Sequence, residues 1–188
     1  MSLRQQGIAL LTLSRREYYR VLRIWGQTIL PPVINMGLYF IIFGNLIGRR
    51  IGQMGGFDYK QYIAPGLIMM AVITNAYGNV VSSFFSAKIN RHLEEMLVAP
   101  MSNVTIVLGH MAGGIVRGVL VGLAVTAVAL FFTPLPFIHP LITISVFLLC
   151  ASIFSLGGLI NGIMAKNFDD VSIIPSFVLQ PLTYLGGV

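Results

Sequence analysis

The chain has 188 residues, 56% of them hydrophobic and only 10% charged, whereas soluble domains carry roughly 25% charged residues. The arrangement of the charges excludes a soluble globular domain. No Asp, Glu, Lys or Arg occurs in 24–48, 61–87 or 118–165, and about 20 consecutive apolar residues cross a bilayer core. The net charge of +6 therefore has no soluble face to occupy and does not indicate nucleic-acid binding; Lys and Arg beside apolar runs set topology and meet anionic lipid.

From the N-terminus, "IALLTL" is short for a signal-peptide core and is followed by "SRREYYR" rather than by small cleavage-site residues. Residues 9–26 read as an amphipathic helix. Leu11, Tyr18, Leu22 and Trp25 share one face and Arg16, Arg20 and Arg23 the opposite one, the pattern of a helix lying in the membrane interface; the plainer alternative is a basic flank ahead of a span. A first span covers 28–47, with Pro31 and Pro32 near its start, where missing amide donors cost least. The glycine-rich loop "GRRIGQMGGFDYKQY" leads to a second span, 62–87. The charged segment 88–100, "KINRHLEEMLVAP", comes next. Pro100 disfavours helical geometry at Ala99, and Ser102 or Asn103 can cap the following helix. A third span covers 104–132, "TPLPFIHP" turns the chain, and a fourth span covers 141–165. "KNFDD" interrupts the pattern, and Asp169 or Asp170 can cap a fifth helix, 171–188. That helix is still apolar at Val188, so the expectation is a sequence that stops within a fifth transmembrane helix.

Basic residues set the orientation. Arg4, Arg15, Arg16, Arg20, Arg23, Lys88, Arg91 and Lys166 fall on one side and Arg49, Arg50 and Lys60 on the other; the richer side, with the N-terminus and segment 88–100, is expected in the cytoplasm. No internal repeat supports an inverted-repeat carrier.

Within the spans, Asn75, Asn79, Ser82 and Ser86 share a face, with Ser83 at its edge. Such a stripe points at protein or water, either lining a translocation path or forming a packing seam. Gly114, Gly118 and Gly122 stand at four-residue steps, preceded by His110 and continued by Thr126, and Ser155, Gly158 and Gly162 repeat the idea; small residues at this spacing let another backbone approach. Arg117 is the only charge between Glu95 and Lys166, and it is expected to snorkel to the interface and pair with a carboxylate of 88–100 rather than serve a substrate. Cys150 lies in an apolar run and reads as an inert thiol.

The absences narrow the function. All six acidic residues fall in flanks or loops, so the spans offer no carboxylate for proton or sodium coupling. H-E-x-x-H and G-x-S-x-G are missing, and the His92–Glu95 pair has no third ligand, so no metal site is expected. No G-x-x-x-x-G-K-[ST] occurs, so any ATP must be bound by another subunit. In 88–100, Ile89, Leu93, Met96 and Leu97 share one face, while Lys88, Arg91, Glu94 and Glu95 lie elsewhere with His92 between. A short helix with one apolar stripe suits docking on a protein, and paired carboxylates disfavour an anionic lipid surface.

Four stretches, "RREYYRVLRIWGQ", "APGLIMMAVITNAYGNV", "RHLEEMLVAPMSNVTIVLGH" and "FDDVSIIPSFVLQPLTYLGGV", resemble the ABC-2 type transporter permeases, membrane subunits of bacterial exporters for drugs, polysaccharides and lipids; "EEMLVAPMS" is the most specific of the matches. The resemblance implies an all-α polytopic membrane protein with a single ABC-2 type transmembrane domain over 1–188. It implies about five of six transmembrane helices here and a connecting helix at 9–26. A coupling helix in 88–100 would dock Arg91, His92, Leu93, Glu94, Glu95, Met96, Leu97 and Pro100 on a separate ABC ATPase subunit. A second permease copy, as a homodimer, and membrane lipids are the other partners it implies. It implies no cofactor in this chain, ATP and Mg being held by the ATPase, and a multi-pass location in the bacterial inner membrane with a cytoplasmic N-terminus. The competing readings are a membrane-embedded lipid-modifying enzyme using His110, Arg117, Asp169 and Asp170, and a channel or carrier acting alone.

Overall fold

A computed structural model describes residues 3–47, 53–54, 56–135 and 139–185. Long apolar runs fold as helices because a helix satisfies every interior amide within itself, the requirement that lipid imposes. Helix α1, Leu3–Arg23, ends at a one-residue turn, Ile24, and helix α2, Trp25–Tyr39, begins directly after it, continuing as a π-helical segment, Phe40–Ile47. The two-residue strands β1, Gln53–Met54, and β2, Phe57–Asp58, pair antiparallel around Gly56, whose φ of +85° suits glycine. Helix α3 is Tyr59–Ile89, the short helix α4 is His92–Val98, α5 is Asn103–Phe132 and α6 is Pro140–Met164. Helix α7, Phe168–Ile174, passes through a second π-helical segment, Pro175–Leu179, into α8, Gln180–Leu185. Among the described residues four helices are long and apolar enough to cross a membrane: Trp25–Phe43, Tyr59–Ile89, Asn103–Phe132 and Pro140–Met164. The protein is an all-α polytopic membrane protein apart from the short hairpin.

Several boundaries differ from the sequence expectation for physical reasons. Pro31 and Pro32 lie inside α2 rather than at its start, because the helix already begins at Trp25; they remove the donors that would reach the carbonyls of Gln27 and Thr28. Asn167, not Asp169 or Asp170, is the N-cap of α7, and the Asp170 carboxylate accepts from the amides of Lys166 at 2.8 Å and Asn167 at 3.1 Å. Those two bonds hold its pKa below the usual carboxylate range. Arg49, Arg50, residues 136–138 of the proline-rich turn and residues 186–188 of the fifth helix lie outside the described residues.

Helix α3 is the centre of the bundle, and glycine sets how closely its neighbours come. A Cβ on Gly114 would collide with Val80 of α3 and Ser155 of α6, and would sit 2.9 Å from the Ala76 carbonyl oxygen. One turn on, a Cβ at Gly118 would meet Ala76 at 3.0 Å and the Val72 carbonyl at 3.3 Å; at Gly122 it would meet Val72 and Phe147. Gly158 of α6 lies against the backbone of Tyr77, and Gly162 faces Phe84. Residue numbers fall on α3 and α6 as they rise on α5, so both run antiparallel to it. At one end the core is Met36, Phe40, Ile63, Ala64, Leu67, Ile68, Val121, Val125 and Ala129, with Phe40 stacked on Phe132 at 5.3 Å. The outward face of α6, including Leu141, Ile142, Leu149, Ile153 and Ile160, is exposed.

Replacing Gly114 by Leu should lower the unfolding midpoint in detergent, with an overpacking cost of about 1–3 kcal/mol, because the opposing atoms include main chain. Gly78→Ala is the internal control, since nothing lies within 4 Å of a Cβ there. Equal midpoints for the two variants would contradict this packing.

Candidate functional site

Helix α3 ends where Asn90 turns its amide, at 3.0 Å, and its side chain, at 2.9 Å, onto the Ser86 carbonyl. Arg91 then takes a left-handed conformation, φ 61° and ψ 7°, which is costly for any residue with a Cβ and re-aims the chain into α4. Ala99 is extended, with φ −65° and ψ 145°, as Pro100 requires of the residue before it. The Ser102 side chain accepts from the Thr105 amide at 3.2 Å and so caps α5. Gln6 of α1 grips this corner: its Oε1 accepts from the Ser102 amide at 3.2 Å and from the Thr105 hydroxyl at 2.7 Å.

The expected apolar stripe of 88–100 divides in the structure. Ile89 still belongs to α3, because the left-handed turn at Arg91 intervenes before α4 begins. Leu93 packs inward on Val80, Phe84 and Leu159, and Met96 is half-buried. Leu97 is 61% and Val98 87% exposed, so the free apolar end of α4 is Leu97–Val98; Val98 was absent from the sequence stripe. His92, Glu94, Glu95 and Pro100 are exposed around it, as is Arg91. Lys88 faces away, its Nζ donating at 2.8 Å to the carbonyls of both Ile163 and Ala165 at the end of α6.

Inside this end of the bundle lies a cluster that the sequence reading did not find. Leu13, Glu17 and Val21, at four-residue steps, are only 7%, 1% and 2% exposed. Helix α1 thus has a third face, between the arginines and the outward Leu11, Tyr18 and Leu22, and it packs on α5 with Leu13 against Gly109 and Glu17 against Gly113. The Glu17 carboxylate accepts from Arg16 Nη2 at 3.1 Å, from Arg20 Nε at 3.0 Å and from the Ser83 hydroxyl of α3, at 2.9 and 2.8 Å to its two oxygens. Arg20 Nη2 also donates to Asn79 of α3, to its main-chain oxygen at 3.2 Å and its side-chain oxygen at 2.9 Å. His110, wholly buried against Phe84, places Nδ1 3.9 Å from Glu17. Burial pushes the Glu17 pKa up, but Arg20, the Ser83 hydroxyl, His110 and Arg16 together outweigh it, and the net shift is downward.

The polar stripe of α3 is likewise divided. Asn79 is fully buried and held by Arg20, whereas Asn75 donates to its own helix at Ala71, and Ser82 and Ser86 are exposed. Arg117 has no carboxylate partner among the described residues, contrary to expectation, because the α4 carboxylates are exposed at the surface.

Residues 8–188 match the family model described as ABC-2 type transporter. A protein named inner membrane transport permease YadH, from Escherichia coli (strain K12), is 58% identical over 182 residues, which is 96% of this chain and 71% of that protein. Nodulation protein J of Rhizobium leguminosarum bv. viciae is 23% identical over 182 residues, 96% of this chain and 70% of its own. No solved structure matches.

Replacing Glu17 by Ala should cost about 1–3 kcal/mol, the range for leaving a buried hydrogen-bond partner such as Ser83 unsatisfied, read as a lowered denaturation midpoint in detergent. Because the folded-state pKa lies below the ordinary value of 4.5, the advantage of wild type over Glu17→Gln should be fully present above pH 4.5. It should vanish as pH falls through the lowered pKa. An advantage that grew on acidification would contradict the assignment.

Proposed function

The chain belongs to the ABC-2 type transporter family, and from that premise we propose that it is the permease subunit of an ATP-driven exporter that docks on a separate ABC ATPase through α4. The observation that carries this reading is the exposed surface of α4, where Leu97 and Val98 stand beside Glu94, Glu95 and His92 on a helix held between two spans. An apolar pair rimmed by charges suits a protein cleft, and the two carboxylates would be repelled by anionic headgroups. ATP and Mg would be held by the partner, since this sequence has no phosphate-binding glycine loop.

A load applied to α4 has three ways into the bundle. Leu93 bears on Val80, Phe84 and Leu159; the Ser102 cap connects to α5; and Gln6 passes the same displacement to α1. Two copies of the permease would enclose the path, with exchange of their helix contacts changing its exposure. The family and the inner-membrane relative support placement in a bacterial inner membrane, and the basic side, with the N-terminus and α4, is assigned to the cytoplasm. The exposed Ser82 and Ser86 of α3 are the remaining candidates to face the path or the second copy.

Changing Glu94 and Glu95 together to Lys should abolish co-purification of the ATPase and ATP-dependent transport, while membrane insertion stays intact. Retention of both activities would sink the coupling role. Labelling of single cysteines at His92 and Phe57 should find the first reactive from the cytoplasm and the second from the opposite side; the reverse pattern would overturn the orientation.

A further inference from the structure

The ion cluster around Glu17 is not neutral. Arg16 and Arg20 both bind that one carboxylate, and Arg117 stands one helical turn along α5 from Gly113, the residue that lies against Glu17 and Asn79. Three guanidinium groups against one carboxylate leave an excess of two positive charges. The polar atoms left without partners here include two donors: Arg117 Nε and Asn79 Nδ2 are buried and make no hydrogen bond. Like charges crowded at a partly desolvated junction destabilise one another, and an acceptor-rich anion relieves that cost.

The setting indicates where such an anion comes from. The charge-free stretch 24–48 begins directly after Arg23, so Arg16 and Arg20 lie in the last two turns before the chain enters the hydrocarbon. Helix α5 has 30 residues, about 45 Å at 1.5 Å per residue, against a hydrocarbon core of about 30 Å. With that excess at its Ser102 end, Gly113 stands at the core boundary and Arg117 about 6 Å inside it, within snorkelling reach of the headgroups. Arg16 is 45% and Arg20 33% exposed, and the outward Tyr18, Tyr19, Leu22 and Trp25 surround them with side chains suited to the interface.

We propose that Arg16, Arg20 and Arg117 form a site for a phosphate-bearing anion at the junction of α1, α3 and α5. The guanidinium plane matches a phosphate in fork geometry, which an ammonium does not. Glu17 orients Arg20 from behind, so the joint that fixes α1 to the bundle also sets the direction of this guanidinium. The assignment rests on this packing and stands apart from any ATPase coupling.

The test uses the full-length protein in detergent after delipidation, with the unfolding midpoint as the readout. Phosphatidylglycerol should raise the midpoint of wild type by about 5 °C or more at a hundredfold excess over its dissociation constant. Phosphatidylcholine with the same acyl chains should not, because its zwitterionic headgroup carries no net charge. Arg117→Gln should abolish the shift, Arg117→Lys should keep part of it, and Arg23→Gln, outside the cluster, should keep all of it. If Arg117→Gln does not yield folded protein, Arg16→Gln, at the exposed rim of the site, takes its place with a weakened shift expected. Protection by millimolar glycerol phosphate equal to that by phosphatidylglycerol would support the site and assign it a soluble phosphate. An undiminished phosphatidylglycerol shift in the Gln variants, or equal protection by phosphatidylcholine, would overturn the proposal.

Discussion

Taking a carboxylate out of water costs several kcal/mol, and the cost is offset only where charge and hydrogen bonds converge on it. Glu17 meets that condition through residues of its own helix, Arg16 and Arg20, and through Ser83 of α3. The Ser83 bonds to Glu17 and the Arg20 bonds to Asn79 exist only when α1 lies in one register against the bundle. Given that register, Leu13 falls on Gly109 and Gln6 reaches Ser102 and Thr105. The next helix then starts beside α5 and meets it again at the far end, where Phe40 stacks on Phe132. One buried carboxylate thus helps fix how the N-terminal segment 3–47 lies on the rest.

The joint depends in turn on glycine. Between helices in lipid there is no hydrophobic effect to exploit, so association relies on close packing and polar contacts. A Cβ at Gly113 would stand 2.7 Å from the Glu17 Cβ and 3.1 Å from Asn79 Nδ2; any larger residue there would force the carboxylate away from Ser83. Gly114, on the next face, lets α3 and α6 approach at the same level. The small residues and the ion cluster are therefore parts of one arrangement, because the polar bonds are short only where the backbones are near.

The spans could be read from sequence because absence of charge over 20 or more residues is a local property, and the Pro100 stop and the Ser102 cap are local too. The cluster could not, since its partners are separated by 66 residues for Glu17 and Ser83 and by 59 for Arg20 and Asn79. In the sequence Glu17 stands among arginines and looks like a solvated flank; the only trace was the four-residue spacing of Leu13, Glu17 and Val21, a third face hidden between the two more obvious ones. The stripe in 88–100 was misjudged at its ends because a periodicity argument assumes an unbroken helix, and the left-handed Arg91 breaks it. That break removes Ile89 from α4 and leaves Val98 as the most exposed apolar residue of the segment.

The two ends of the bundle are built from different interactions, and this bears on how a load at α4 would act. Away from α4 the contacts are apolar and aromatic, with Phe40, Ile63, Leu67, Val121 and Val125 fully packed; such contacts are non-directional and tolerate small rotations. At the α4 end the contacts are directional: the Lys88 bonds to the end of α6, the Gln6 clamp and the Glu17 joint. Directional bonds resist displacement until they break or exchange partners, so movement there is stepwise. Under the proposed coupling, a push on Leu93 and Ser102 would act on discrete polar joints at one end while the apolar end could rotate without breaking a directional bond.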